Sequence, residues 1–357
     1  MVKLREGRWS LLVPTSVGVR LTPENRQPVH TTTSFDLHAT SAETNVGSIV
    51  SGLGLPVKVL TSFVAGSPIS ALIKADLRAR GMDVEGPDRE QGGPWGYRHQ
   101  FNIADSGYAG RGPRVWNDRA GEVGLTLNVD DYDLQRIFAD EGVKVLHLSG
   151  LVAGLCPQTA DFCVRLAEAA KANGTLVSFD LNYRESFWKG RETELRKVFS
   201  SIARLADLLY GNEEDFQLTL GIDGPKAGGN GLTDAIDSFK WMIELIQNQY
   251  PSSQYIGTTL REVMSANRHN WGMILATPED FFVAKPREIE ILDRIGGGDA
   301  SIGGILYGLL RGFTPEQTMQ FGWACGALAV TSLTDYFLPA DEDQVWATWR
   351  GNARVKR

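Results

Sequence analysis

The chain has few of the residues that form disulfide frameworks and structural metal sites. Its 357 residues include three cysteines, Cys156, Cys163 and Cys325, and only five histidines. The number of cysteines is odd and no C-x-x-C pair occurs, which argues against a disulfide framework or a structural zinc site. This usage predicts a reduced, cytoplasmic protein. His99 and His269 have no partners spaced as metal ligands, so the sequence identifies no direct protein ligand for a metal ion.

Long apolar runs and an excess of positive charge are also absent. No stretch of the sequence approaches the ~18–20 uninterrupted apolar residues of a membrane span. The first residues, MVKLREGRWSLLVPTS, have only a short apolar run before Pro14, unlike a signal peptide. The net charge is -7, which argues against an extended basic surface that binds nucleic acid or an anionic membrane. A small anionic substrate is still compatible with this charge, because a local site can be basic.

The order of strand-like and helix-like segments predicts an α/β fold. The first ~130 residues are rich in β patterns, and the Gly- and Arg-rich segment 105–121 is typical of a loop. Buried-strand patterns then recur at 143–150, 175–182, 206–212 and 254–260, with helical patterns between them. This alternation predicts a parallel sheet covered on both faces, with ligands at the carboxyl ends of its strands.

The stretch DRIGGGDASIGGILYGLL, which starts at Asp293, carries the main chemical signal. The preceding REIEILDRI predicts a strand that ends at the glycines, and apolar residues at helical spacing follow Asp299. The N–H groups of a helix N-terminus attract anions, and glycine lets them approach closely. The helix dipole should also keep Asp299 ionised. No Walker A or G-x-G-x-x-G motif is present.

Two interpretations of this stretch stay open from spacing alone. The glycines can form a tight turn that Asp299 merely caps. Alternatively, Asp299 takes a proton from an attacking hydroxyl while the N–H groups stabilise the charge on a transferred phosphoryl group.

The same stretch resembles the C-terminal signature of the ribokinase-like (phosphofructokinase B type) carbohydrate kinases, in which D-x-x-G-x-G-D opens a helix. FDLNYRESFW, TLREVMSANRHNWG and LTDYF are most similar to the 2-keto-3-deoxygluconate kinase branch, over about residues 140–340. The resemblance implies one domain over 1–357, a three-layer α/β sandwich with a mainly parallel central sheet and a small β-sheet lid. The lid would come from segments within about 14–45 and 93–125, and the nucleotide-binding half from about 205–340.

The activity implied by the resemblance is ATP-dependent phosphorylation of a hydroxyl of a small sugar acid, with 2-keto-3-deoxygluconate as the leading candidate. Mg²⁺ is implied, a monovalent cation such as K⁺ is an option, and a homodimer through the lid is expected. Two alternatives stay open: a kinase for another sugar or a nucleoside, and a non-catalytic sugar or nucleotide sensor on the same fold.

Site residues also follow from the resemblance. Asp299 would be the catalytic base, and the anion hole would be formed by Gly296, Gly297 and Gly298, with Asp293 structural or near a cation. The expected substrate-binding residues are Asn45, Tyr97, Arg119, Arg184 and Asp335. The expected nucleotide- and magnesium-binding residues are Asn212, Glu213, Asp215, Thr259 and Arg261. Asp215 stands where the family's N-x-x-E motif has a glutamate, and a helix N-terminus capped by Asn212 explains that segment equally well.

Three departures from the family pattern lie on the expected sugar side. Thr15 and Ser16 stand where the first strand usually carries an acid, and Ser41 and Ala42 replace a glycine pair. The branch's R-A-x-S-A becomes RAGEV at 119–123. Because the phosphate-side signature is intact, the sequence predicts a shifted sugar specificity.

Overall fold

The computed structural model describes residues 3–226, 231 and 235–352. Its strands are β1 (Trp9–Pro14), β2 (Gly18–Pro23), β3 (Phe35–Thr40), β4 (Val57–Leu60), β5 (Phe63–Val64), β6 (Met82–Glu85), β7 (Asp88–Arg89), β8 (Phe101–Asp105), β9 (Arg114–Asp118), β10 (Val143–Ser149), β11 (Leu176–Asp180), β12 (Leu208–Tyr210), β13 (Tyr255–Ser265), β14 (Arg268–Ala276) and β15 (Phe281–Glu290).

The α-helices are α1 (Ala42–Gly52), α2 (Pro68–Ala79), α3 (Gly150–Ala153), α4 (Pro157–Ala172), α5 (Glu185–Trp188), α6 (Glu192–Leu205), α7 (Glu213–Asp215), α8 (Ile236–Gln249), α9 (Gly297–Leu310), α10 (Pro315–Ala329) and α11 (Glu342–Trp349). Short 3₁₀ turns occupy Glu24–Arg26, Val123–Thr126 and Val129–Asp131, and π-helical turns occupy Gln135–Gly142 and Phe216–Leu220.

A nine-stranded sheet forms the centre of the molecule, in the order β15-β14-β13-β12-β11-β10-β1-β4-β6. The strands from β13 to β6 in this order run parallel, and β14 and β15 extend one edge antiparallel. β10 is buried along most of its length, as expected for a parallel strand covered on both faces. The strands predicted from sequence at 143–150, 175–182, 206–212 and 254–260 are β10 to β13.

Two apolar cores lie on opposite faces of this sheet. Leu12 belongs to the core that contains residues of α4, α6 and α8, whereas its neighbours Leu11 and Val13 belong to the core with residues of α1, α2, α9 and α10. Alternate residues of a strand point to opposite faces, so these cores are the two sides of one three-layer sandwich. The predicted fold class is therefore confirmed.

A second, four-stranded sheet has the order β3-β2-β8-β9, and is called the small sheet below. β2 pairs with β3 antiparallel and with β8 parallel, and β8 pairs with β9 antiparallel. Its strands all fall within residues 14–45 and 93–125. The prediction of a loop across 105–121 is wrong at Arg114–Asp118, because those residues form the edge strand β9.

The end of β15 also differs from the sequence prediction. The strand stops at Glu290 rather than running to the glycines. Beyond it, the Ile291 N–H donates to the Asn267 carbonyl oxygen at 2.9 Å, and the Leu292 N–H donates to the Val330 carbonyl oxygen at 2.8 Å. The chain therefore leaves the sheet and turns towards α10 before it enters α9.

The three cysteines are free thiols. Within the described part of the chain, we find no helix with the length and apolarity needed to cross a membrane.

Candidate active site

The N-terminus of α9 is formed by backbone geometry that requires glycine. Gly296 caps the helix with φ of 84°, in the left-handed region. A Cβ at this position would lie 1.7 Å from the Asp335 carbonyl oxygen, whereas a Cβ at Gly298 would meet no atom within 4 Å. Gly296 therefore holds the turn, and Gly298 faces open space.

The first turn of α9 leaves N–H groups unused by the helix. The Ala300 N–H donates to the Gly296 carbonyl oxygen at 2.9 Å. The preceding N–H groups of Gly297, Gly298 and Asp299 have no acceptor within the helix, as at any helix start. Together with the helix dipole, they form a place where negative charge is stabilised.

Helix α1 places a polar side chain directly beside this turn. Asn45 Nδ2 lies 2.9 Å from Asp299 Oδ2 and 3.2 Å from Asp335 Oδ2. Asn45 can reach Asp299 because α1 packs closely on α9. Gly303 of α9 permits this packing, since a Cβ there would lie 2.7 Å from the Val46 carbonyl oxygen of α1. Three residues expected from sequence, Asn45, Asp299 and Asp335, therefore lie together.

The small sheet reaches the same cluster through β3. His38 Nε2 lies 2.7 Å from Asp335 Oδ1, and the Thr40 hydroxyl donates to the other oxygen of Asp335. Burial acts to raise the pKa of Asp335, but the His38 hydrogen bond, the charge of Arg20 and the Thr40 hydrogen bond together hold this pKa well below its ordinary value. Asp335 is therefore a fixed negative charge next to Asp299.

Burial raises the pKa of Asp299 to about 7. The negative charges of Asp335 and Glu43 act in the same direction, and the hydrogen bond from Asn45 and the charge of Arg184 oppose them. The expectation that the helix dipole keeps Asp299 fully ionised is thus wrong, because desolvation outweighs the dipole. A carboxylate with a pKa near 7 can both accept and release a proton at neutral pH.

Asp293, which opens the glycine stretch, is completely buried in an ion pair with Arg20 of β2. The Ser106 hydroxyl donates to Asp293 Oδ2 at 2.8 Å, and the Ile295 N–H donates to Oδ1 at 3.0 Å. These partners fix the turn ahead of α9 and tie it to the small sheet. Arg20 was not identified from sequence, because its partner lies more than two hundred residues away in the chain.

A further carboxylate, Asp180, lies at the carboxyl end of β11. Burial and the negative charges of Asp215 and Asp299 raise its pKa strongly, and the charge of Arg184 opposes them. The side chain of Arg184 is exposed, and its charge also lowers the pKa of Asp299. Sequence analysis identified Arg184 but missed Asp180, although an acid at the carboxyl end of a parallel-strand pattern was a usable signal.

The Asn212–Asp215 segment forms a reciprocal cap at the start of α7. Asn212 Oδ1 accepts from the Asp215 N–H at 2.9 Å, and Asp215 Oδ2 accepts from the Asn212 N–H at 2.8 Å. The other oxygen of Asp215 accepts from the Tyr183 N–H at 2.9 Å. Burial raises the pKa of Asp215 to about 6. The capping interpretation therefore describes one oxygen of Asp215, and the other is bound by Tyr183.

Strand β13 carries the two remaining residues expected on the nucleotide side. Thr259 is partly buried and Arg261 reaches the surface. Desolvation, with the nearby charge of Arg294, lowers the pKa of Arg261 to about 10, while the charges of Glu213 and Asp215 act against this shift. Arg261 remains cationic at neutral pH and faces the Glu213–Asp215 turn.

Within the described residues, no group of three or more His, Cys, Asp or Glu side chains is placed to hold a metal ion.

The residues at the sequence departures also lie together. Ser16, Ser41, Ala42, Glu43 and Arg119 line one narrow cavity, with Leu151, Val152 and Leu155. The Thr15 hydroxyl donates to Glu43 Oε2 at 2.6 Å, and the Ser16 hydroxyl donates to Glu122 Oε2 at 2.8 Å. Burial raises the pKa of Glu43. Both glutamates were missed as site residues. Glu122 stands within the departure RAGEV at 119–123, whereas no sequence pattern marks Glu43.

Within the described residues, neither Tyr97 nor Thr259 has a hydrogen bond or ion pair that connects it to the other expected residues. Tyr97 lies before β8, outside the strands of the small sheet, with its side chain 39% exposed. Its backbone N–H donates to the Gln91 carbonyl oxygen at 2.7 Å.

In chemical terms, the site combines a titratable carboxylate, free helix N–H groups and nearby cationic side chains at the carboxyl ends of parallel strands. This combination suits proton removal from a hydroxyl beside a place that stabilises anionic charge. A profile for pfkB family carbohydrate kinases matches residues 133–341. The chain belongs to this family. The resemblance found in the sequence is therefore confirmed.

Individual relatives of this pfkB family member are distant. The chain is 27% identical over 214 residues to the 5-dehydro-2-deoxygluconokinase of Clostridium perfringens, covering 60% of this chain and 56% of that protein. It thus matches little more than half of that relative's length. It is 24% identical over 341 residues to the 2-dehydro-3-deoxygalactonokinase of Haloferax volcanii, covering 95% of this chain and 96% of that one.

The fold of the chain is also similar to that of a solved structure. The 2-dehydro-3-deoxygluconokinase of Thermotoga maritima superposes with a TM-score of 0.86 at 25% identity, covering 96% of this chain and 99% of that one. The similarity extends over nearly the whole chain.

Proposed function

We propose that the protein transfers the γ-phosphoryl group of ATP to a hydroxyl of a small sugar or sugar acid of the 2-keto-3-deoxygluconate type. The observation that carries this proposal is Asp299, a carboxylate with a pKa of about 7 in the first turn of a helix opened by glycines. Family membership and the sugar-acid kinases among the relatives support the substrate class.

In this proposal Asp299 accepts the proton of the attacking hydroxyl. The hydroxyl oxygen forms a bond to the γ-phosphorus, and the bond from that phosphorus to the bridging oxygen breaks to release ADP. The N–H groups at the start of α9 stabilise negative charge on the transferred group. Asn45 holds Asp299 in place through its 2.9 Å hydrogen bond.

The residues present fit a nucleotide with a divalent cation. Arg261 and Arg184 supply positive charge near the Glu213–Asp215 turn, which suits the phosphates of ATP. Burial, and then the negative charges of Asp215 and Asp299, raise the pKa of Asp180, so a cation near Asp180 and Asp215 would relieve their repulsion. Mg²⁺ would be held there, largely through water and phosphate oxygens, and would offset phosphate charge. A need for K⁺ stays a prediction.

The homodimer through the small sheet and the cytoplasmic location also stay predictions. Support for the dimer comes from large apolar side chains on that sheet, because Trp116 is 70% exposed and Leu37 is 49% exposed. Such residues are more common at contacts between subunits than on free surfaces.

The deciding experiment is an ADP-release assay with ATP and Mg²⁺ against 2-keto-3-deoxygluconate, fructose, ribose and adenosine. We expect turnover with a sugar or sugar acid, and a loss of at least ~10² in kcat in Asp299→Asn, since general base catalysis contributes about 10²–10⁴. Circular dichroism of the variant checks that its fold is kept. Near-normal turnover by Asp299→Asn would remove Asp299 as the base. Sugar binding without turnover by the unmodified protein would favour the sensor.

A further inference from the structure

Arg119, one of the two arginines expected to bind the substrate, already has a carboxylate partner within the chain. Its Nη1 lies 2.8 Å from Glu122 Oε2 and 3.1 Å from Glu122 Oε1. Glu122 is almost fully buried, with 1% of its surface exposed, and it also accepts the 2.8 Å hydrogen bond from Ser16. The position of Glu122 is therefore fixed from two sides.

The other residues that line the cavity add a carboxyl group and no further cation. This group is Glu43, which is 1% exposed; Ser149 lies close enough to lower its pKa, and within the described residues no well-aligned hydrogen bond reaches its Oε1. The charge of Arg119 acts on Glu43 as well, opposing the effect of burial on its pKa. One guanidinium thus faces two glutamates. An incoming carboxylate would meet repulsion from Glu122 and would compete with it for Arg119.

The unsatisfied atoms of the cavity suit a different ligand. In the part of the chain that the structure describes, the acceptor Glu43 Oε1 and the donor Arg119 Nε are both buried without a well-aligned hydrogen-bond partner. Hydroxyl groups donate and accept at once, so a sugar hydroxyl that reaches into this narrow cavity, which has about 10 Å³ of free volume, can pair with such atoms without bringing in charge. Leaving such atoms unpaired is costly, which makes them effective selectors of hydroxyl groups.

We propose that Glu122 is a specificity-determining residue that neutralises Arg119 and makes this end of the pocket favour a neutral, polyhydroxylated sugar over a sugar acid. The inference rests on the proposed phosphotransferase function and concerns only which substrate the site prefers. It gives a physical cause for the shift in specificity expected from the sequence departures.

The test compares two substrates that differ at one group. 2-Keto-3-deoxygluconate carries a carboxylate at C1, and 3-deoxyfructose carries a CH₂OH group there. We expect the unmodified protein to have the higher kcat/KM for 3-deoxyfructose. Glu122→Ser should raise the ratio of acid to neutral kcat/KM by about tenfold or more, because it frees a charge-assisted hydrogen-bonding group. Glu122→Gln should change the ratio in the same direction.

Two further variants make the result specific to this ion pair. Arg119→Ala added to Glu122→Ser should abolish the gain for the acid. Glu194→Ser removes the carboxylate of an exposed pair with the same i, i+3 spacing, Arg191–Glu194, and should leave the ratio unchanged. Calorimetric binding of both sugars to the protein with a non-hydrolysable ATP analogue gives a readout besides turnover, and should show the same change in preference.

The outcomes separate the two proposals. If Glu122→Ser leaves the ratio unchanged or lowers it, Glu122 instead positions Arg119 for the acid, and the inference is overturned while the kinase function stands. If the unmodified protein phosphorylates neither these sugars nor any other sugar offered, the proposed function fails and the specificity inference fails with it.

Discussion

At the scale of single residues, Asp299 is held between two neighbours with opposite effects on its charge. The hydrogen bond from Asn45 lowers the pKa of Asp299, and the negative charge of Asp335 raises it. Because the base must be ionised to accept a proton, activity should fall as the pH drops through about 7. The two neighbours therefore set where the acidic limb of the pH profile lies.

This arrangement predicts opposite shifts in two variants. Asn45→Ala removes a hydrogen bond to the ionised form, so the acidic limb of log(kcat/KM) should move to higher pH. Asp335→Asn removes a like charge, so the limb should move to lower pH. Profiles from pH 5 to 9 with a saturating ATP concentration measure both shifts. Both substitutions can also weaken sugar binding, but a common loss of activity would not move the limbs in opposite directions. Limbs that stay in place would mean that another group controls the profile.

At the scale of elements, two glycines at the start of α9 have different roles: Gly296 is required by the backbone turn, and Gly298 leaves the space in front of the helix open. Gly296→Ala places a Cβ 1.7 Å from the Asp335 carbonyl oxygen at a φ of 84°, so the turn itself must change. We expect this variant to be clearly destabilised, by more than the roughly 1–2 kcal/mol that the left-handed backbone alone costs. Gly298→Ala meets no atom within 4 Å, so its melting temperature should stay close to normal.

Gly298→Ala tests whether a ligand occupies the open space in front of α9. A methyl group on Gly298 occupies that space, so we expect Gly298→Ala to raise the KM for ATP or lower kcat while the fold is unaffected. Thermal melting and steady-state kinetics of the two variants provide the comparison. Normal kinetics in Gly298→Ala would argue that no phosphoryl group approaches this turn.

Elements also show what the sequence could and could not predict. Buried parallel strands such as β10 and the glycine-opened helix α9 have strong local patterns, and both were predicted. Strand β9 was missed because it is an exposed edge strand, and nothing in its own apolar pattern marks it. The pattern of REIEILDRI predicted a strand that starts later than β15 and runs past its end at Glu290. The residues after Glu290 instead bond to Asn267 and Val330, and Asp293 pairs with Arg20.

The candidate site was also predicted only in part: the motif residues were found, and the residues placed by long-range contacts were not. Asp299, Asn45 and Asp335 were found through motifs and do lie together, because the motif residues sit on elements that pack directly. Arg20, His38, Glu43 and Glu122 were missed. Their importance comes from contacts between distant segments, such as His38 with Asp335, and no local pattern records such contacts. The ionisation of Asp299 was mispredicted for the same reason, since burial is a property of the whole fold.

At the scale of the whole molecule, buried polar contacts join the small sheet to the start of α9. Arg20 of β2 pairs with Asp293, and His38 and Thr40 of β3 bind Asp335. Neither Arg20 nor Asp293 is exposed. Among the described residues, Arg20 Nε and Nη1 have no hydrogen-bond partner although both are buried. The ion pair is therefore the main interaction that offsets the cost of burying this charge.

This connection predicts a large loss of stability when one partner is removed. Arg20→Met leaves the buried carboxylate of Asp293 with the Ser106 and Ile295 hydrogen bonds and the nearby charge of Arg294, and should cost about 3–5 kcal/mol. Arg268→Met breaks an exposed pair with Glu288 at 3.5 Å and should cost no more than about 0–1 kcal/mol. Urea unfolding of both variants measures the difference.

A double variant distinguishes the loss of the charge pair from simple loss of packing. In Arg20→Met with Asp293→Asn, the buried charge that lacked a partner is gone, so the double variant should be more stable than Arg20→Met alone. If the second substitution adds its own loss instead, the ion pair is not what joins the sheets. A cost for Arg20→Met as small as that for Arg268→Met would lead to the same conclusion, and the turn before α9 would then have to be held by the backbone contacts of Leu292 and Asp293 with Val330.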